Sequence, residues 1–534
     1  MMLPPHDMGP ESENQSFDVV VIGGGINGAA SAAALSHAGL RVLVCDKADF
    51  ASQASGNSSM FIWGGIKYLQ QREWRLVTQL CHSRNRLLHR LGYAVKPIAF
   101  DLLLGQRASP PAWQVWLGAW LYWVFGRGET RPPGKLPFAW LKKHFSHIGP
   151  LRGYSAIRYF DAFLPQGDSR FVWQFLHRAK EQGAQLCNYT EVVAGEYLNE
   201  GWRLTLANHR DSNAPPRRVQ CQLIINATGG WSDSVSQCLE LTNPNQLLLS
   251  KGVHLILPKF LALDDVVAFL AEDARLFYVI PFGKYCCVGT TDTREDEPQV
   301  NVTERDRQFI LQQINRFFVL PEPMKPKDII AERVAVRPLV REAAQGDENQ
   351  DWFNLSRKHL IHSEPDKGAF TIMGGKLSDC LTVAEDLTSQ VCGFLKAKQQ
   401  HYFLADEQWI APHNLEAIYE HFRHQCRRFG LDALPCHTPQ HSWVETLWQR
   451  YGPKAQDVLL YLKENQELET LFDLQLLVAE VAFMRDQEMV TCVEDVLRRR
   501  TQLALMFRAE DLVQHPDILR CETILFSEVV GALE

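Results

Sequence analysis

The junction between Phe17-Asp-Val-Val-Val-Ile22 and Gly23-Gly-Gly25-Ile-Asn-Gly28 constrains this chain more than any other stretch. A short β-branched run stops at three glycines. An Ala-rich segment, Ile26 to His37, follows with helical character, Gly39 breaks it, and Arg41-Val-Leu-Val-Cys45 reads as a second strand. Strand, helix and strand in this order imply a parallel sheet. The glycines fit G-x-G-x-x-G: Gly23 makes the tight turn, Gly25 lets a pyrophosphate approach the backbone, and Gly28 lets helix and strand pack closely. The free N–H groups and positive dipole end of the helix then face the phosphates. Asp46 closes the second strand 18 residues after Gly28, where an acid takes ribose hydroxyls. A dinucleotide site is expected here.

With 534 residues the chain is too long for one core, and two or three domains are expected. Ser169 to Gln182 reads as a helix with Phe171, Phe175 and Leu176 on one face, and strand Leu223 to Ala227 stops at Thr228-Gly-Gly. From about 236 to 340 the pattern changes to strands, Gly252–Leu257, Leu276–Ile280 and Tyr285–Gly289, read as an antiparallel sheet. Strand Ala369 to Met373 meets Gly374-Gly375 and opens a helix from Lys376 to about Leu395. Beyond about 401 strands vanish; Leu468, Leu471, Phe472 and Leu476 recur at helical spacing, as do Val493, Val496 and Leu497. The fold class is therefore α/β: a Rossmann-like parallel-sheet domain (17–104, 150–235 and 345–400), an antiparallel-sheet substrate region (105–149 and 236–344) and an all-helical C-terminal domain (401–534). Residues 1–16 are read as a loose tail.

A net charge of −7 disfavours a nucleic-acid partner, whose phosphates call for a basic surface. The 13 cysteines contain no C-x-x-C pair, so no zinc ribbon and no structural metal is expected, and the absence of a secretory leader points to reduced cytosolic thiols. The longest uncharged stretch, Ala108 to Gly126, has a strongly apolar part from Val115 to Phe125, short of the roughly 20 residues of a spanning helix. Its tryptophans (Trp113, Trp116, Trp120 and Trp123) suit either a bilayer interface or a plain buried helix.

Two later features favour flavin over nicotinamide. Asn226-Ala-Thr-Gly229 resembles the Ala-Thr-Gly stop that flavoprotein oxidoreductases place beside their cofactor. Met373-Gly-Gly-Lys376 resembles the turn that brings a helix N-terminus to the flavin ring. The resemblance becomes specific at Ser55-Gly-Asn-Ser-Ser-Met-Phe-Ile-Trp-Gly-Gly-Ile-Lys-Tyr-Leu69, which is similar to the signature following the second strand in FAD-dependent, quinone-linked glycerol-3-phosphate dehydrogenases. Further family patterns stand at Lys251-Gly-Val-His254, Val279-Ile-Pro-Phe282, Gly289-Thr-Thr-Asp292, Val336-Arg-Pro-Leu339, Leu355-Ser-Arg357 and Gly374-Gly-Lys-Leu377. In the tail they are Arg450-Tyr-Gly452 and Glu494-Asp-Val-Leu-Arg-Arg-Arg-Thr501, and the match runs in order from about 17 to 508.

The resemblance implies FAD, held by Gly23, Gly25, Asn27, Gly28, Asp46, Ser55, Ser58, Ser59, Gly229, Gly375, Lys376 and Leu377; it is expected to be non-covalent, because no Cys or His neighbours a clear flavinylation pattern. It implies His254 and Arg337 as catalytic positions, and Lys67, Tyr68, Arg337, Arg357 and Lys376 around a small phosphorylated polyol. Arginine forks suit phosphate oxygens, and a histidine suits removal of a hydroxyl proton while hydride passes to flavin. It further implies oxidation of sn-glycerol 3-phosphate, with electrons passing to quinone, and a homodimer is compatible with it. The aromatic stretch around Trp113 to Trp123 leads to the expectation of a cytoplasmic protein held peripherally at the inner membrane face. Against the family's Lys-Leu-Ile-His-Gly-Gly this chain reads Met60-Phe-Ile-Trp63-Gly-Gly, and Leu381 stands where a basic residue is usual. These three apolar residues are expected near flavin and substrate. Two other readings stay open: a sister enzyme acting on another polyol phosphate, small acid or amine, and a catalytically impaired flavin-binding protein working through its helical tail.

Overall fold

A computed structural model describes residues 15–105, 110–145, 154–198, 201–211, 213–270, 275–341, 358–397, 402–436, 442–462, 468–473 and 475–526. The first sheet takes its strands in the order Leu360–Glu364, Ala369–Met373, Arg217–Asn226, Gln15–Ile22, Val42–Cys45, Gln185–Cys187. The last five of these run parallel, with Leu360–Glu364 antiparallel at one edge. The first strand begins at Gln15, so the end of the expected tail is already sheet.

Helix Ile26–His37 packs between helices Asp168–Glu181 and Cys380–Ala397. Its alanines 29, 30, 32, 33 and 34 are fully buried, as a helix enclosed on several sides requires small side chains for close approach. Gly28 is fixed by the same packing, since a Cβ there would lie 1.9 Å from the Gly23 carbonyl oxygen.

The second sheet is built on the long strand Gln246–Pro258, which pairs antiparallel with Tyr285–Gly289, Thr293–Glu295 and Ala331–Arg341. It continues through Leu276–Phe282 and Val266–Leu270 to Lys96–Leu104, Ser155–Phe163 and Phe61–Ile62. It departs from the expected antiparallel pattern at one pair, Val266–Leu270 with Lys96–Leu104, which is parallel. Strands 61–62, 96–104 and 155–163 fall in ranges expected for the nucleotide domain, yet they belong to this second sheet. Helix Glu304–Phe317 covers one face, and Phe269 stacks on Phe317 at 4.1 Å between ring centroids.

The tail is helical around its own core, centred on Phe422, Trp443, Leu447, Phe483 and Met484. One expectation fails there. Leu471 and Leu476 do not lie on a helix but in a two-stranded hairpin, Thr470–Leu471 with Leu476–Leu477, because Phe472 and Asp473 adopt φ of +53° and +54°.

Candidate active site

The two sheets and the segment from Ser52 to Tyr68 enclose a cavity of about 660 Å³. Gly23, with φ +104°, turns the chain off the first strand, and the Asp46 carboxylate accepts the Gly24 and Ala48 amides at 2.7 and 2.9 Å. Burial raises the Asp46 pKa to about 6, with those two amides opposing the shift. Gly25 caps helix Ile26–His37, and a Cβ on it would stand 3.0 Å from Ser55 Oγ, which itself accepts the Ile26 amide at 2.9 Å. A second turn comes alongside. Gly374 and Gly375 have φ of +68° and +81°, and Asn27 donates to the Gly374 carbonyl at 3.2 Å. A Cβ on Gly375 would meet the Asn27 amide at 3.2 Å, so glycine lets the two turns touch.

A third turn, Thr228-Gly229, is shaped by Asn226, whose Oδ1 accepts from the Thr228 amide and hydroxyl while its Nδ2 donates to Ser232 and Ser236. Asn27 Oδ1 is buried without a hydrogen-bond partner among the described residues. Three glycine turns lining one cavity, with an acid at the end of the second strand and an unmet acceptor, fit a bound dinucleotide.

The substrate side follows from strand register. Ser250 pairs with Arg337, Gly252 with Ala335, and His254 with both Arg333 and Gly289. The Arg337 guanidinium crosses the bare face of Gly252, where a Cβ would lie 2.2 Å from Nη2, and donates to Thr290 Oγ1 at 2.8 Å and the Thr291 carbonyl at 3.3 Å. His254 uses the space over Gly289 in the same way and meets Ser59 Oγ through Nε2 at 3.0 Å. Burial, with the Arg333 and Arg337 guanidiniums, holds its pKa well below the usual histidine range, so the imidazole is neutral at pH 7. Lys67, Tyr68 and Lys376 face the same cavity.

Of the expected site residues, Gly23, Gly25, Asn27, Asp46, Ser55, Ser58, Ser59, Lys67, Tyr68, Gly229, His254, Arg337, Gly375, Lys376 and Leu377 line this cavity. Gly28 supports the turn from behind, and Arg357 lies outside the described residues. The expectation for Met60 and Leu381 is corrected. Met60 has φ +59°, its side chain is buried in the core against Gln502, and Leu381 is likewise wholly buried in helix Cys380–Ala397. Among the three departures only Trp63 lines the cavity.

The buried pair Arg333 and Asp168, 2.7 Å apart, went unread in the sequence. Asp168 accepts the Ser58 amide at 2.6 Å and Arg333 donates to the Gly56 carbonyl at 2.8 Å, so the pair pins the loop that carries Ser59 to His254. Nothing local marks such a contact; only the strand register discloses it.

The chain belongs to the family of FAD-dependent oxidoreductases, whose family model matches residues 18–363. Residues 416–520 match a second model, the C-terminal domain of alpha-glycerophosphate oxidase. The glycerol-3-phosphate dehydrogenase 2 of Mycobacterium tuberculosis is 29% identical over 508 residues, covering 92% of this chain and 82% of that one. The D-erythritol 1-phosphate dehydrogenase of Brucella abortus is 28% identical over 505 residues, covering 92% and 95%. The solved glycerol-3-phosphate dehydrogenase of Bacillus halodurans, complexed with FAD, has the same fold, with a TM-score of 0.69 over 97% of both chains at 20% identity. The dinucleotide is FAD.

Proposed function

We propose that this chain oxidises the secondary alcohol of a small phosphorylated polyol, sn-glycerol 3-phosphate to dihydroxyacetone phosphate, with electrons passing on to a quinone. The observation that carries this reading is the convergence of Arg337, Lys67, Lys376 and a neutral His254 on the cavity bounded by the dinucleotide turns. Bound FAD supplies the two-electron acceptor. Arg337, aimed by Gly252 and steadied by Thr290, presents to this cavity a planar fork of the kind that suits phosphate oxygens. His254, near the Arg333 and Arg337 guanidiniums and held neutral, faces the substrate space and orients the alcohol. The relatives' names, including one acting on an erythritol phosphate, agree with a phosphorylated polyol.

Arg337→Lys keeps the charge and loses the fork. It is expected to cost about 1.5–3 kcal/mol, roughly a 10- to 150-fold fall in kcat/KM on the phosphorylated substrate. Glycerol itself should be a poor substrate for both proteins. Equal turnover of glycerol and its phosphate by the wild type contradicts the reading.

Trp63 supports a second reading, a polyol phosphate with a longer or less polar chain. Its ring meets Tyr68 edge-on at 5.6 Å and fills cavity space where the family has a histidine. Trp63→His is then expected to raise kcat/KM on glycerol 3-phosphate relative to erythritol phosphate, and an unchanged ratio contradicts it.

We also propose peripheral attachment to a membrane through helix Ala112–Phe125. Trp113, Leu117 and Val124 are 61, 49 and 58% exposed along it, and among the described residues no helix is long and apolar enough to cross a membrane. The protein should sediment with membranes and come off in mild detergent. Recovery wholly in the soluble fraction at low salt contradicts this.

A further inference from the structure

Lys376 follows the second glycine turn, and its surroundings differ from those of a phosphate-binding lysine. Its Nζ donates to the Tyr68 hydroxyl, stands 3.9 Å from the Tyr68 ring centroid and 5.5 Å from that of Trp63. Among the described residues no carboxylate lies within ion-pairing distance of it. Asp379, three residues on, has Oδ1 taken by Gln79 at 2.9 Å and Oδ2 by His359 at 2.7 Å, and His359 also reaches Asp386 at 3.1 Å. An ammonium so placed loses water without gaining a contact counter-ion. Its pKa is brought down to about 7, chiefly by burial, with repulsion from Lys67 adding and the Asp379 charge opposing.

His254 is set differently. Its Nε2 is engaged with Ser59, and protonating it would place a third cation beside Arg333 and Arg337 in a buried site. An imidazole held well below the working pH accepts hydrogen bonds but is a weak base, whereas a base matched to that pH is the efficient one.

We propose that Lys376, held by the Tyr68 hydroxyl and walled by Trp63, is the base that takes the proton of the substrate's secondary hydroxyl. This rests on the oxidation proposed above. The C–H bond breaks with its electron pair going to FAD, which is reduced. The O–H proton goes to Nζ, turning a neutral amine into an ammonium, and the C=O bond forms. Tyr68 is a positioning residue for Nζ, and His254 orients the same hydroxyl. Trp63 then has a role at this site: in place of an imidazole it supplies an apolar wall that keeps the amine dry.

The holoenzyme, assayed on sn-glycerol 3-phosphate, should show an acidic limb in kcat/KM with a midpoint near the pH of 7 set by this lysine. Lys376→Ala should lose about 100- to 1000-fold in kcat/KM and lose that limb, while added methylamine or ethylamine restores part of the rate in proportion to amine basicity. His254→Gln should lower the rate and keep the limb. A readout independent of turnover is acylation of the Lys376 amine followed by mass spectrometry against pH, with and without FAD. Its reactivity should titrate near pH 7, while surface lysines titrate near their usual value of about 10.4.

The proposal is overturned if Lys376→Ala keeps the acidic limb, if His254→Gln abolishes it, or if Lys376 labels like a surface lysine. Should the wild type oxidise no phosphorylated polyol, the substrate reading fails, and the labelling curve alone decides for or against a basic Lys376.

Discussion

A Gly25→Val protein is expected to be purified folded and colourless, with flavin occupancy reduced to about a tenth or less. Gly25 has φ −75° and ψ −175°, which valine adopts without strain, so the backbone tolerates the change. The space does not. Its Cβ would press on Ser55 Oγ at 3.0 Å, and the two methyl groups beyond it would enter the gap where the pyrophosphate meets the helix N-terminus. Gly28→Val is the informative contrast. There the Cβ would meet the Gly23 carbonyl oxygen at 1.9 Å, so folding itself should suffer. The ratio of visible flavin absorbance to protein absorbance, read beside a far-ultraviolet circular dichroism spectrum, separates the two cases. A Gly25→Val protein that keeps full flavin refutes the placement of the pyrophosphate.

Arg500→Met should destabilise the folded protein by about 3–5 kcal/mol, because it strips one partner from a buried charge. Arg500 is wholly buried. It donates to both oxygens of Asp49 at 2.7 and 3.0 Å and to the Glu488 carbonyl at 2.6 Å, and it stacks over Trp173 at 4.2 Å. Asp49 follows Asp46 by three residues and precedes Phe50, whose ring packs against Trp173 edge-on and against the bare face of Gly24. The tail arginine therefore supports the dinucleotide turn from behind, and weaker flavin retention should accompany the lost stability. Urea denaturation measures the first effect and flavin release on dilution the second. A loss below about 0.5 kcal/mol would show that Arg499, which reaches Asp49 at 2.8 Å, suffices alone.

How much of this was legible in the sequence differs from residue to residue. The first strand, the Gly23 turn and the helix after it are local, and periodicity with glycine chemistry reads them directly. The convergence of Gly252, His254, Gly289 and Arg337 became readable only through resemblance, because their meeting depends on the register of three strands far apart in the chain. Met60 shows a limit of reading by alignment with a motif. The motif comparison places it near the flavin, but with φ of +59° its side chain is buried in the core. Leu471 and Leu476 show another, since this apolar pair across a hairpin mimics helical spacing when the turn residues carry no glycine. The partners of Arg500 and Arg333 were illegible for a simpler reason. The Arg333–Asp168 and Arg500–Asp49 ion pairs join residues 165 and 451 positions apart and leave no local pattern at either end.

Anaerobic reduction of the bound flavin tests most directly whether this flavoprotein takes hydride from a small phosphorylated polyol. The yellow holoenzyme is mixed without oxygen or added acceptor with sn-glycerol 3-phosphate, erythritol phosphate, glycerol and a small amino acid in turn. The phosphorylated polyols are expected to bleach the flavin while glycerol and the amino acid leave it oxidised. Bleaching by glycerol as fast as by its phosphate, or by the amino acid alone, would contradict this reading.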